Sequence, residues 1–258
     1  MLLARVLTAV LLIPGFLGIL YAGGWAWFAL LAILIALASL EMGRLYVCLG
    51  CDKTHLFIGF GGLILLGAAY ASLYVTWSWP LAFALITTMA LLGQLGLSSE
   101  QLLQRGAAIC MGSLYVGLFA FLFLIRADGL APALLAVLGT WFADTFAFFF
   151  GRAFGRTPFA PTISPNKTVE GAVAGIGGGM IAGLALAKML QWSAWYAALA
   201  GLIVALAAEL GDLVESAMKR EARVKDAGSL LPGHGGILDR FDSMLFAGVA
   251  VYLLRLLR

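Results

Sequence analysis

Nine apolar runs of roughly 20 residues, separated by short polar loops, restrict this chain to very few architectures. A run of that length crosses a bilayer as a helix, which satisfies every backbone N–H and C=O internally where no water can. The runs cover about residues 6–22, 24–43, 56–77, 79–96, 107–125, 131–150, 169–189, 194–217 and 237–256. The expected fold class is therefore all-α: a polytopic membrane protein of about nine transmembrane helices, with the candidate site on one surface. Residues 1–258 read as one integral membrane domain, with 1–130 as scaffold helices and 131–258 as the chemistry-bearing helices and loops.

Composition supports this. Charged residues make up 11% of the chain and hydrophobic residues 63%, against roughly 25% charged in a soluble domain. The 32 glycines suit close helix packing in lipid. The net charge of +3 comes without a long basic run, which argues against nucleic acid and is compatible with an anionic lipid surface. The first run follows a single Arg5 and has no small-residue cleavage pattern, so it reads as a retained span rather than a leader. Cys48 and Cys51 form a C-x-x-C with His55 nearby. A structural zinc site wants four ligands, so the reading is a turn between spans.

The positive-inside rule tests the span count. Nine spans place eleven Lys and Arg residues on the side of the N-terminus and four on the other, with Arg240 inside the last span. That puts the N-terminus, and the polar loops after the sixth and eighth spans, on the cytoplasmic face.

Acids inside spans are costly and therefore candidates for function. Asp144 lies in the sixth span. Glu209, Asp212 and Glu215 lie in the eighth, and Asp239, Arg240 and Asp242 open the ninth. Glu209, Asp212, Ser216 and Lys219 recur at i, i+3, i+7 and i+10, on one helical face. Glu215 and Lys219 stand in the favourable acid-then-base order at i, i+4. Carboxylates of Asp144, Asp212, Asp239 and Asp242 converging at one depth call for a cation, and hard oxygen ligands with room for water and phosphate suit Mg²⁺, with space for a second cation. The competing reading is structural pairing with Arg152, Lys219 or Arg240.

The loops carry the opposite charge. After the sixth span come Arg152, Arg156, Ser164, Asn166, Lys167 and Thr168, just ahead of a helix N-terminus that can hold an anion. After the eighth come four cations in seven residues, Lys219 to Lys225, and then Asp226 and a P-G-H-G-G run whose glycines permit close backbone approach around His234. Acids for metal beside cations for phosphate are the inventory of phosphoryl or nucleotidyl transfer.

Ser216 to Asp242, SAMKREARVKDAGSLLPGHGGILDRFD, resembles the signature of the phosphatidate cytidylyltransferase (CDP-diacylglycerol synthase) family. Ser216, Lys219, Arg220, Lys225, Asp226, Gly228, His234, Gly235, Gly236, Asp239, Arg240 and Asp242 agree with it, and SPNKTVEG is similar to a second family motif. The family often has Tyr where Phe148 stands and Trp where Val169 stands; residues 1–130 match in hydropathy alone. The resemblance implies a Mg²⁺-dependent membrane enzyme, often a homodimer, of the bacterial inner membrane, making CDP-diacylglycerol from CTP and phosphatidate. It implies Lys219, Asp239, Asp212 and His234 as catalytic residues. Ser164, Lys167, Arg220, Lys225, Asp226, Arg240 and Arg152 are implied as substrate binders, and Asp212, Asp239, Asp242 and Asp144 as metal ligands. A lipid kinase drawing its phosphoryl group from CTP, and a transporter with intramembrane acids, are the alternatives; clustering of charge near one surface weighs against the second.

Overall fold

The structure, a computed structural model, describes residues 2–94, 99–228, 230 and 235–257. Each apolar run holds a helix, and the fifth holds two: α1 (Leu2–Ala22), α2 (Gly24–Cys48), α3 (His55–Ala71), α4 (Ser78–Leu92), α5 (Ser99–Gly117), α6 (Phe119–Asp128), α7 (Leu130–Phe154), α8 (Val169–Leu190), α9 (Ala194–Glu221) and α10 (Leu238–Leu256). The fifth run forms two helices, because Leu118 donates to Tyr115 and accepts from Phe121 in tight i, i+3 turns. The polar loop after α7 holds an unexpected hairpin, β1 (Pro158–Ala160) antiparallel to β2 (Ser164–Thr168). Apart from this short hairpin the elements are helices, as an all-α membrane protein requires.

Among the described residues, five helical stretches are long and apolar enough to cross a membrane: Gly24–Cys48, Leu102–Asp128, Leu130–Phe154, Val169–Leu190 and Ala194–Glu221. Leu12–Ala22, α3 and α4 are apolar but shorter. The 19-residue α10 carries Asp239, Arg240, Asp242 and Arg255.

The chain forms two compact units. The first comprises residues 1–124 and 221–240. Its α1–α2 corner is a single-residue turn made possible by positive φ at Gly23 (65°) and Gly24 (53°). In this unit α3 presents small residues to its neighbours. A Cβ on Gly62 would lie 2.7 Å from Ile35 of α2 and 2.8 Å from Val116 of α5. Buried Trp27 donates its indole N–H to the Leu122 carbonyl at 3.1 Å.

The second unit comprises residues 125–220 and 241–258. Here α8 is wedged between two helices by its glycines. A Cβ on Gly178 would lie 2.6 Å from the Phe142 carbonyl of α7, and one on Gly179 would lie 2.5 Å from the Gly201 carbonyl of α9. Backbone cannot retreat as a side chain can, so these contacts fix the helix spacing. Tyr196 of α9 ties to α10 by donating to the Leu254 carbonyl at 2.9 Å.

Gly179→Leu is therefore expected to destabilise the protein by about 1–3 kcal/mol or more, read as a lowered thermal midpoint in detergent. Gly177→Ala, whose Cβ meets nothing within 4 Å, serves as the neutral control.

Candidate active site

A cavity of about 570 Å³ opens in the second unit, lined by residues of α7, the hairpin, α8 and α9. From α7 come Asp144, Ala147, Phe148, Gly151 and Arg152, positions i, i+3, i+4, i+7 and i+8, one face of a helix. The hairpin supplies Phe159, Ser164, Asn166 and Lys167, and α9 supplies Glu209 and Asp212 one turn apart.

The hairpin is held by Glu170 in the first turn of α8. Its carboxylate accepts from the Arg156 N–H at 3.1 Å, the Thr157 N–H at 3.2 Å and the Thr157 hydroxyl at 3.0 Å. Thr168 caps α8 by accepting from the Gly171 N–H at 3.2 Å. That N–H, expected to be available to an anion, is thus taken by an ordinary N-cap. The two anchors leave Lys167 two residues before the helix, next to the N-cap and pointed at α9.

Lys167 is the hinge of the site's electrostatics. Its ammonium lies 2.7 Å from Glu209 Oε2 and 2.7 Å from Asp212 Oδ2, and its side chain is 20% exposed. Burial opposes its charge, but the Asp212 and Glu209 carboxylates outweigh that and hold its pKa above the ordinary lysine value. It stays cationic near neutral pH. Ser216 Oγ donates to Asp212 Oδ1 at 3.1 Å, fixing that carboxylate further. The charges of Asp242, Asp212, Glu209 and Lys167 all act on Asp144, so four acids and one lysine share a neighbourhood. Gly211 makes this possible: a Cβ there would lie 2.5 Å from the Asp242 carbonyl, so α10 can approach α9 beside Asp212.

The other expected site residues are placed differently. Lys219 pairs with Glu215 on its own helix, and Glu215 is fully buried. Arg220 Nε donates to the Ile163 carbonyl at 3.1 Å, bracing the hairpin turn. Asp242 Oδ1 accepts from the Ser243 N–H at 2.7 Å. Lys225, Asp226, Asp239 and Arg240 belong to the first unit. There Asp239 accepts from the Ala227 N–H at 3.0 Å and the Gly236 N–H at 2.8 Å, while Lys225, Asp226 and Arg240 are exposed. His234 lies outside the described residues. Cys48, Cys51 and Cys110 are free thiols.

Sequence reasoning missed Glu41 of α2, which is 0% exposed and accepts from the Ile237 and Leu238 N–H groups. The available signal was a lone acid in an apolar helix.

Among the described residues, no three His, Cys, Asp or Glu side chains come together as a ready-made metal cage. The donor set still fits Mg²⁺, which binds through one or two carboxylates and takes its remaining ligands from water and phosphate. Asp212 and Glu209 are such a pair, and Asp144 lines the same cavity.

The sequence model of the cytidylyltransferase family matches residues 3–257. The chain belongs to the cytidylyltransferase family. Relatives within it include phosphatidate cytidylyltransferases of Staphylococcus haemolyticus, 38% identical over 247 residues, and Staphylococcus saprophyticus, 36% identical over 246 residues. That of Staphylococcus epidermidis is 37% identical over 257 residues. Each alignment covers 94% of this chain and 94% of the relative.

Lys167→Met is expected to lower cytidylyl transfer about 10²–10³-fold, the usual cost of one preorganised charge. Lys167→Arg should restore little, since a planar fork cannot replace a point charge between two acids. Steady-state turnover in detergent checks both.

Proposed function

We propose that the chain transfers the cytidylyl group of CTP to phosphatidate, giving CDP-diacylglycerol and pyrophosphate. The observation that carries this reading is a single cavity whose lining has two characters: Lys167 clamped between Glu209 and Asp212, and the aromatic rings of Phe148 and Phe159. Anionic phosphate and apolar acyl chain can be received together. Phe148 is 59% exposed, which suits contact with lipid entering sideways from the bilayer.

The reaction needs little proton chemistry. The phosphate monoester of phosphatidate is largely ionised near neutral pH, its second pKa being about 6. One of its oxygens attacks the α-phosphorus of CTP. A new P–O bond forms, the α–β phosphoanhydride bond breaks, and pyrophosphate leaves with the electron pair. The protein's task is to bring two anions into line and to neutralise them. Lys167 and Arg152 are the cations lining the cavity. Thr168 and Glu170 hold Lys167 in place through the cap and the hairpin.

Asp212 and Glu209, with Asp144 and Asp242 near them, would hold Mg²⁺, and a second cation where substrate supplies further ligands. When bound, the metal neutralises charge on triphosphate oxygens. The signature residues Lys219, Arg220, Lys225, Asp226, Asp239, Arg240 and His234 are assigned to the same reaction by resemblance.

The same proposal places nine segments in the membrane, α5 and α6 serving together, with the N-terminus and the polar loops cytoplasmic. Its support is the eleven-to-four distribution of Lys and Arg. The reading extends to a bacterial inner-membrane setting and a homodimeric assembly, which the resemblance implies.

The purified protein should pass label from α-labelled CTP into the lipid fraction, given phosphatidate and Mg²⁺. Label appearing only in CDP would point to phosphoryl transfer to a lipid alcohol. No lipid-dependent turnover would overturn the enzymatic reading. EDTA should abolish transfer, and Mg²⁺ should restore it.

A further inference from the structure

The cavity chemistry does not use the buried acid Glu41. Glu41 lies two turns before the end of α2 and is 0% exposed. Each of its oxygens serves a separate backbone donor: Oε1 accepts from the Ile237 N–H at 3.0 Å and Oε2 from the Leu238 N–H at 2.9 Å. Those donors lie at the start of α10, where N–H groups have no partner within the helix. A carboxylate satisfies both. An amide of the same shape offers one acceptor oxygen and one NH₂, so one N–H would face another donor.

The surrounding backbone is moulded to this carboxylate. A Cβ on Gly236 would lie 2.5 Å from Glu41 Oε2, and one on Gly228 would lie 2.6 Å from its Cδ. Neither position tolerates a side chain while Glu41 stays. Gly235, at φ 85°, turns the chain between them, and a Cβ there would lie 2.9 Å from Asp239 Oδ2. Asp239 in turn accepts from the Ala227 and Gly236 N–H groups. Two carboxylates, Glu41 from α2 and Asp239 from α10, therefore grip the described ends of one charged segment, residues 225–228 and 235–239. All of these contacts lie within the first unit.

We propose that Glu41 is a positioning residue for the reaction, holding residues 225–228 and 235–239, Lys225, Asp226 and Asp239 among them, in the backbone arrangement that serves nucleotide binding. Glu41 acts through the backbone and touches no substrate. The proposal rests on the cytidylyl-transfer reading above, which supplies the nucleotide.

The test uses the full-length protein in detergent and the isosteric Glu41→Gln variant. CTP affinity is measured by titration without lipid, turnover with phosphatidate, thermal midpoint by scanning, and local opening by amide hydrogen exchange. Loss of a charge-assisted hydrogen bond predicts CTP affinity weakened by about tenfold, with KM for CTP rising in parallel. kcat should change less. Exchange should accelerate at residues 235–238 and not across the chain. Gly236→Ala, which drives a methyl into Glu41 and leaves its charge, should reproduce the affinity loss; Gly67→Ala, whose Cβ meets nothing within 4 Å, should not. Unchanged CTP affinity in Glu41→Gln overturns the proposal. So does an affinity loss that accompanies a lowered midpoint and uniformly faster exchange, because that is the mark of a general structural role. If the unaltered protein neither binds CTP nor labels lipid, the parent reading fails and this one with it. A normal unaltered protein with an unaffected variant defeats this proposal alone.

Discussion

Lys167 between Glu209 and Asp212 is the interaction on which the second unit's polar chemistry depends. Two carboxylates one turn apart on a membrane helix repel each other and are expensive to bury. The ammonium 2.7 Å from both removes most of that cost. It can do so only because the hairpin delivers it to α9, and the hairpin stands because Glu170 and Thr168 fasten it to the first turn of α8. The glycine contacts of α8 with α7 and α9 set the spacing across which the lysine must reach. Local turn chemistry, helix packing and cavity electrostatics thus point to the same arrangement. A ligand phosphate arriving there would compete for a cation already held in position, without first having to order a flexible side chain.

Hydropathy made the helices legible. Apolar runs cannot be anything else in lipid, and the observed helices fall within a few residues of the runs for α1, α2, α7, α8, α9 and α10. α3 stops at Ala71, earlier than its apolar run, because Tyr74 and Val75 both donate back to the Ala71 carbonyl. The break at Leu118 left no trace in a uniformly apolar stretch. The hairpin was also hidden: β1 is three residues long, begins with Pro158, and lacks the alternation that marks a strand.

The acids divide more sharply. Spacing put Glu209 and Asp212 on one face, and they do line one cavity. Spacing also allowed Glu215 and Lys219 to pair, and that ion pair ties up a lysine that the family signature marks as catalytic. Nothing local could reveal the partner of Glu41, because its donors are 196 and 197 residues away in sequence. Nor could spacing foretell that Asp239 would turn back to the Ala227 and Gly236 amides. Helical periodicity reports which residues share a face, and it is silent on loops that fold onto distant carboxylates.

The same separation has a consequence for biogenesis. Glu41 is made early and its amide partners almost last. At roughly 5–20 residues per second, the growing chain leaves that acid without them for about 10–40 s. During that interval α2 carries a carboxylate without its native N–H donors, in a setting where such groups are costly. The second helix therefore has reason to remain shallow, or shielded by insertion machinery, until the last helix begins to form. Assembly of the first unit is then completed only when residues 221–240 have been made.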